Sequence, residues 1–128
     1  MPRRFTHFGE ALRYYRETYQ DRIRQTNPDM PRIRITALAL IDCMERKGYS
    51  ISSGAYSEIE AGISIPREPR AFIAAASSCL AIPEGSLPWQ TLTLQLAFDV
   101  LAKKLGEEYT QLVFREMGRG ELLDAETA

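Results

Sequence analysis

The chain has 128 residues, 45% of them hydrophobic and 26% charged, with a formal net charge of −1. That gives room for one ordinary domain with a real core, in the composition of a soluble globular protein rather than a disordered or fibrous one. No run approaches about 18 apolar residues, which excludes a membrane-spanning helix, and the start "MPRRFTHFGEALRYY" lacks the apolar stretch of a secretory signal, so a cytoplasmic protein is expected.

A first helix is predicted over 7–20, where Phe8, Leu12, Tyr15 and Tyr19 recur at spacings of three and four and build one apolar face. Thr6 is the expected cap and Gly9 lies near the start. The segment "QDRIRQTNPDMPRIR" follows, and Pro28 and Pro31 stop a continuous helix, so helix is expected to about Thr26 and then a loop. Thr36 should cap a second helix, "ALALIDCMERKG", with Leu40, Ile41 and Met44 facing inward, Leu38 a further candidate, and Gly48 at the position after the C-cap.

The third helix is short, from Ser53 to Ala61. Ser52 can cap it, Ala55, Tyr56 and Ile59 should point inward, and Gly62 closes it. Pro69 suits the first position of a fourth helix, "RAFIAAASSCLA", whose Ala74, Ala75 and Ala76 either admit a close neighbour or simply favour helix. After the loop "IPEGSLPWQ", Ser86 or Leu87 before Pro88 marks the next start. Residues 90–98 stay ambiguous: Leu92, Leu94, Leu96 and Phe98 alternate as in a strand, yet Leu94, Phe98, Leu101 and Leu105 keep helical spacing. The uninterrupted length to Gly106 favours helix. A last helix over 107–117 should place Tyr109, Leu112, Val113 and Met117 on one face, with Phe114 adjacent.

Charge is graded along the chain. Residues 1–34 carry a net +4, residues 35–86 a net −2 and residues 87–128 a net −3. A basic end can bind anions locally although the total is near zero; it can also be merely solvated. Cys43 and Cys79, without a Cys-x-x-Cys spacing, are expected as buried free thiols, and His7 is the single histidine, so neither a zinc site nor any cofactor is indicated. No paired carboxylates, nucleophile–base set or phosphate-cradling loop suggests catalysis, and no catalytic residue is assigned.

The run from Leu40 to Pro66 resembles the lambda-repressor-like helix-turn-helix family of bacteria and phages. Leu40, Met44 and Gly48 match its "L-A-x-x-M-x-x-x-G" pattern, with Ile41 at the alanine position, and Ile59, Glu60 and Gly62, followed by Pro66, match the "I-E-x-G" and proline that end its recognition helix. "ALRYYR" resembles the Leu-Arg-x-x-Arg of its first helix. The likeness covers about residues 8–20 and 36–86. It implies an all-α fold: a five-helix bundle with additional C-terminal helices. On that reading, residues 1–86 form a DNA-binding domain with an insertion at about 20–35, and residues 87–128 form a C-terminal extension serving dimerisation. It also implies that Glu60 pairs with Arg16 or Arg13 and that Gly62 is structural.

The function implied is a sequence-specific regulator of transcription, expected to be a repressor, that inserts residues 53–61 into the major groove of double-stranded DNA. The contacts would come from Thr36, Ser52, Ser53, Gly54, Ser57 and Glu58, with Arg67 and Arg70 beyond the helix. Arg22, Arg24, Arg32 and Arg34 in the insertion would either grip phosphates or form a solvated arm. Two features depart from the family: the long insertion, and a reading face of Ser, Gly, Ser and Glu where bidentate readers such as Arg or Gln are usual. The second keeps an alternative open, an adaptor or antitoxin-like module that binds a protein partner. From Leu87 to Phe98 there is no charge and more than one face is apolar, so this segment is covered either by a second subunit, in a homodimer through residues 87–117, or by the chain's own core.

Overall fold

In a computed structural model, which describes residues 5–29 and 34–117, the described residues form seven helices joined by short loops, with no strand among them. The helices are α1 (Phe8–Glu17), α2 (Tyr19–Thr26), α3 (Ala37–Arg46), α4 (Ser53–Glu60), α5 (Pro69–Cys79), α6 (Leu87–Leu105) and α7 (Glu107–Glu116). The alternating segment at 90–98 lies inside α6. Ser86 accepts a hydrogen bond from the Trp89 amide, Pro88 sits in the first turn, and no breaker intervenes before Gly106, whose φ of +89° ends the helix. Leu92, Gln95, Leu96 and Phe98 are the positions that α6 buries.

The local starts follow capping chemistry. Thr36 accepts from the Ala39 amide at 3.1 Å and Ser52 from the Ala55 amide at 3.1 Å, as their sequence positions predict. At α1 the cap is His7, not Thr6: its Nδ1 accepts from the Glu10 amide at 3.1 Å, while Thr6 donates to the Glu10 carboxylate at 3.0 Å. A further amide of that first turn, Phe8 N–H, donates to Asp99 of α6 at 2.6 Å, across 91 residues of sequence. Helix α6 therefore satisfies an amide at the start of α1.

A single buried cluster joins α1, α3, α4, α5 and α6. Leu12, Leu40, Met44, Tyr56, Phe72, Leu80 and Leu92 lie at its centre, fully buried. Phe72 takes the edges of two rings, Phe8 at 5.8 Å and Tyr49 at 5.3 Å between centroids. Leu92 and Leu96 belong to this same core, and α6 packs on α1 and α5. Helix α7 folds back on α6 after Gly106, with Phe114 edge-on to Phe98 at 5.5 Å.

Several expected burials are reversed. Leu38 and Ala55 face solvent, because α3 and α4 turn the Leu40–Met44 and Tyr56–Ile59 faces into the core and leave only one side each to bury. On α7 the buried residues are Thr110 and Phe114, while Tyr109, Leu112 and Met117 are exposed, since contact with Phe98 selects the Phe114 face. The two cysteines are not free thiols. Cys43 on α3 and Cys79 on α5 form a disulfide, with their Cα atoms 6.0 Å apart where these helices pack together. Sequence spacing carries no trace of that pairing, which depends on how the two helices meet.

Candidate nucleic-acid interface

The segment α3–turn–α4 is fixed from both ends. Gly48, at φ +94°, lets the chain leave α3, and the Tyr49 amide donates back to the Met44 carbonyl at 2.9 Å. The Tyr49 ring is buried and its hydroxyl donates to the Arg67 carbonyl at 2.6 Å, which ties the turn to the loop after α4. At the far end of α4, Gly62 (φ +80°) donates to Ile59 O at 3.1 Å and Ile63 N–H to Glu58 O at 2.9 Å, the paired bonds of a Schellman closure. A Cβ on Gly62 would also fall within 2.9 Å of the His7 ring, so this glycine is required twice.

Helix α4 is also locked to α1. Arg16 grips Glu60 through two parallel bonds, Nε to Oε2 at 2.8 Å and an Nη to Oε1 at 3.0 Å, and a further Nη donates to Ile35 O at 3.2 Å. The side chains of this pair are only 14% and 12% exposed. The Tyr56 hydroxyl, fully buried, donates to the same carboxylate at 2.5 Å. Hydrogen bonding to Glu60 raises the Arg16 pKa despite desolvation, and burial followed by the negative charge of Glu60 raises that of Tyr56 far above the usual phenol range. Of the two arginines that could pair with Glu60, Arg13 instead faces solvent beside Glu17 at 3.6 Å. Where α1 crosses the end of α4, Gly9 allows the backbones to touch: a Cβ there would lie 1.9 Å from the Ile59 carbonyl oxygen.

This frame holds the outward side of α4 in one orientation. Ser53, Gly54, Ser57 and Glu58 are all exposed on it. Gly54 has a helical backbone and nothing within 4 Å of where a Cβ would sit, so the fold itself does not call for glycine there. Thr36 and Ser52 are exposed too, but their hydroxyl oxygens are occupied as caps. Glu58 is turned toward the following loop, accepting from the Ser64 hydroxyl at 2.9 Å. Arg67 and Arg70 are exposed beyond it, and Ser52, Glu58, Arg67 and Glu68 share the wall of one open concavity of about 650 Å³. Neither a protein-family model, a curated protein nor a solved structure matches the chain.

The insertion does not supply four equivalent cations. Arg22 is committed to the fold: its guanidinium donates to Thr18 Oγ1 at 2.9 Å, to Tyr15 O at 2.7 Å and to Leu80 O at 3.0 Å, and it lies over the Tyr15 ring. Desolvation lowers its pKa. It stitches α1 and α2 to the end of α5 and cannot also grip a phosphate, because its donors point inward. Arg24 is half-buried on α2 and Arg34 is exposed. Arg32 lies outside the described residues.

The role of Asp99, and which of the apolar side chains stay exposed, lay beyond what the sequence shows. Asp99 is a half-buried carboxylate held by Phe8 N–H and by the Gln95 amide at 3.1 Å; desolvation outweighs those bonds and raises its pKa. Large apolar side chains also surface at Leu105, Tyr109, Leu112 and Met117, and at Leu38 (64% exposed) and Ile63 (71%) beside the α3–α4 pair. Among the described residues, no three His, Cys, Asp or Glu side chains converge as a metal site would require, and no helix is long and apolar enough to cross a membrane.

Proposed function

We propose that the chain is a sequence-specific DNA-binding regulator of lambda-repressor-like helix-turn-helix type, acting as a repressor, with α4 as the helix that enters the major groove. The observation that carries this reading is the outward face of α4. It is small and hydrogen-bonding at Ser53, Gly54 and Ser57, and it is clamped by Arg16, Glu60 and Tyr56 so that it can be offered as a rigid body. Gly54 supports the reading further. Glycine in a helix costs up to about 1 kcal/mol against alanine, and here no neighbour within the fold requires it; close approach to another surface would make use of the missing Cβ. Ser hydroxyls donate to or accept from either base type, so readout is weak per contact, and the exposed Arg34, Arg67 and Arg70 would provide phosphate contacts that position the helix. The exposed Leu105, Tyr109, Leu112 and Met117 would meet the same face of a second copy, pairing two half-sites.

A second reading, recognition of a protein partner by the same scaffold, is favoured by exposed apolar side chains. Leu38 on α3 and Ile63 just after α4 both face solvent, and Glu58 adds negative charge to the α4 face. Selection of duplexes from a randomised pool separates the two. Enrichment of a motif that changes with Ser57→Ala supports DNA readout, whereas no enrichment at low salt favours the protein partner.

A further inference from the structure

A cleft between α5 and α6 lies apart from the α4 face. It has a volume of about 850 Å³, within the range of small-molecule sites, and its walls are apolar: Ile73, Ile82, Trp89, Leu96 and Val100. Two hydroxyls interrupt them. Ser77, only 4% exposed, and Thr93 both line the cleft, and the side-chain oxygen of each is buried with no hydrogen-bond partner among the described residues. Buried hydroxyls are normally satisfied, in helices commonly by the carbonyl one turn back, as Thr110 is in this chain. Two orphans in one apolar wall are therefore unusual, and a hydroxyl proton rotates freely toward any acceptor supplied. Arg70 and Glu84 stand at the cleft with opposite charges, so its charged groups cancel and favour no ionic ligand.

We propose that this cleft binds a neutral, largely apolar small molecule carrying a carbonyl-type acceptor, which Ser77 and Thr93 orient by donating hydrogen bonds. The apolar walls provide most of the affinity and the two hydroxyls the discrimination. The site does not depend on the DNA-binding reading.

Trp89 is the only tryptophan in the chain and lines the cleft, so it reports occupancy directly. The test titrates the full-length protein with phenyl butyl ketone and with pentylbenzene, its carbonyl-free counterpart, following Trp89 fluorescence. Saturable binding of both, tighter for the ketone, is expected. Ala74→Phe, at an exposed position lining the cleft, should abolish both signals without unfolding the protein, which circular dichroism checks. Ser77→Ala with Thr93→Val should weaken the ketone by about tenfold, the scale of a lost hydrogen bond, and leave pentylbenzene unchanged. No saturable signal from either compound would overturn the proposal, as would equal losses for the two in the hydroxyl variant. If Ala74→Phe changes the sedimentation coefficient instead of ligand binding, the cleft is a protein interface and the ligand assignment is wrong.

Discussion

Removing either member of the Arg16–Glu60 pair should unfasten α4 from α1. Both side chains are about seven-eighths buried, their bonds are two parallel contacts at 2.8 and 3.0 Å, and Tyr56 shares the carboxylate. Arg16→Met leaves a buried Glu60 carboxylate with only a phenol for company. Glu60→Gln leaves a buried guanidinium whose remaining partners are neutral. Stranding one buried charge typically costs about 3–5 kcal/mol, and the residual exposure here places each single substitution near the lower end, at about 3. The double variant strands nothing, so it should recover part of the loss, with a coupling of about 2 kcal/mol in a double-mutant cycle. Urea unfolding followed by far-ultraviolet circular dichroism measures all four proteins. Arg13→Met is the control, because its contact with Glu17 at 3.6 Å is solvent-exposed and should change stability by less than about 0.5 kcal/mol. Single losses below about 1 kcal/mol with no coupling would refute the view that this pair sets the orientation of α4.

Gly9→Ala should destabilise by about 3 kcal/mol or more, since its Cβ would meet a backbone carbonyl rather than a movable side chain; a midpoint unchanged in urea would contradict the close crossing of α1 and α4. Gly54→Ala should do the opposite, raising stability by up to about 1 kcal/mol; with α4 in the groove, as proposed, it should also weaken DNA binding, and a variant that binds as before would remove Gly54 from the contact surface. Asp99 has a folded-state pKa above its ordinary 3.8, so the folded protein holds the proton more tightly. Its contribution is full below that value and is lost as pH rises through the folded pKa, and Asp99→Asn should gain on the parent between pH 4 and neutrality; a difference that stays flat with pH would count against this. Reducing Cys43–Cys79, which closes a loop across 36 residues of sequence, should lower stability by up to about 4 kcal/mol on the chain-entropy estimate. Indifference to a phosphine reductant would show that the pair contributes little.

What the sequence made legible was local. Thr36 and Ser52 cap as expected, Ser86 rather than Leu87 caps α6, and Gly48 and Gly62 take the positive φ that helix closure needs, because each acts within a few residues of itself. The Arg16–Glu60 pairing was narrowed to two arginines by the family likeness and decided by which side of α1 faces α4. The remainder was set by helices meeting across long separations. Asp99 caps α1 from the other end of the chain, Cys79 meets Cys43 only because α5 lies on α3, and Arg22 turns inward because the Leu80 carbonyl waits at the end of α5. Charge counting in the insertion could not distinguish a phosphate-ready arginine from one spent on backbone carbonyls. Likewise the apolar residues of α7 were legible as a stripe, but which of them α6 would cover depended on Phe98.

The most direct test of the central claim is fluorescence anisotropy on a pool of fragments from the source genome, repeated between about 50 and 200 mM salt. A regulator that presents α4 to the groove should select particular fragments, lose affinity steeply as salt rises and lose its selection with Ser57→Ala. Absence of binding at the lowest salt would contradict the account and leave the α4 face to a protein partner.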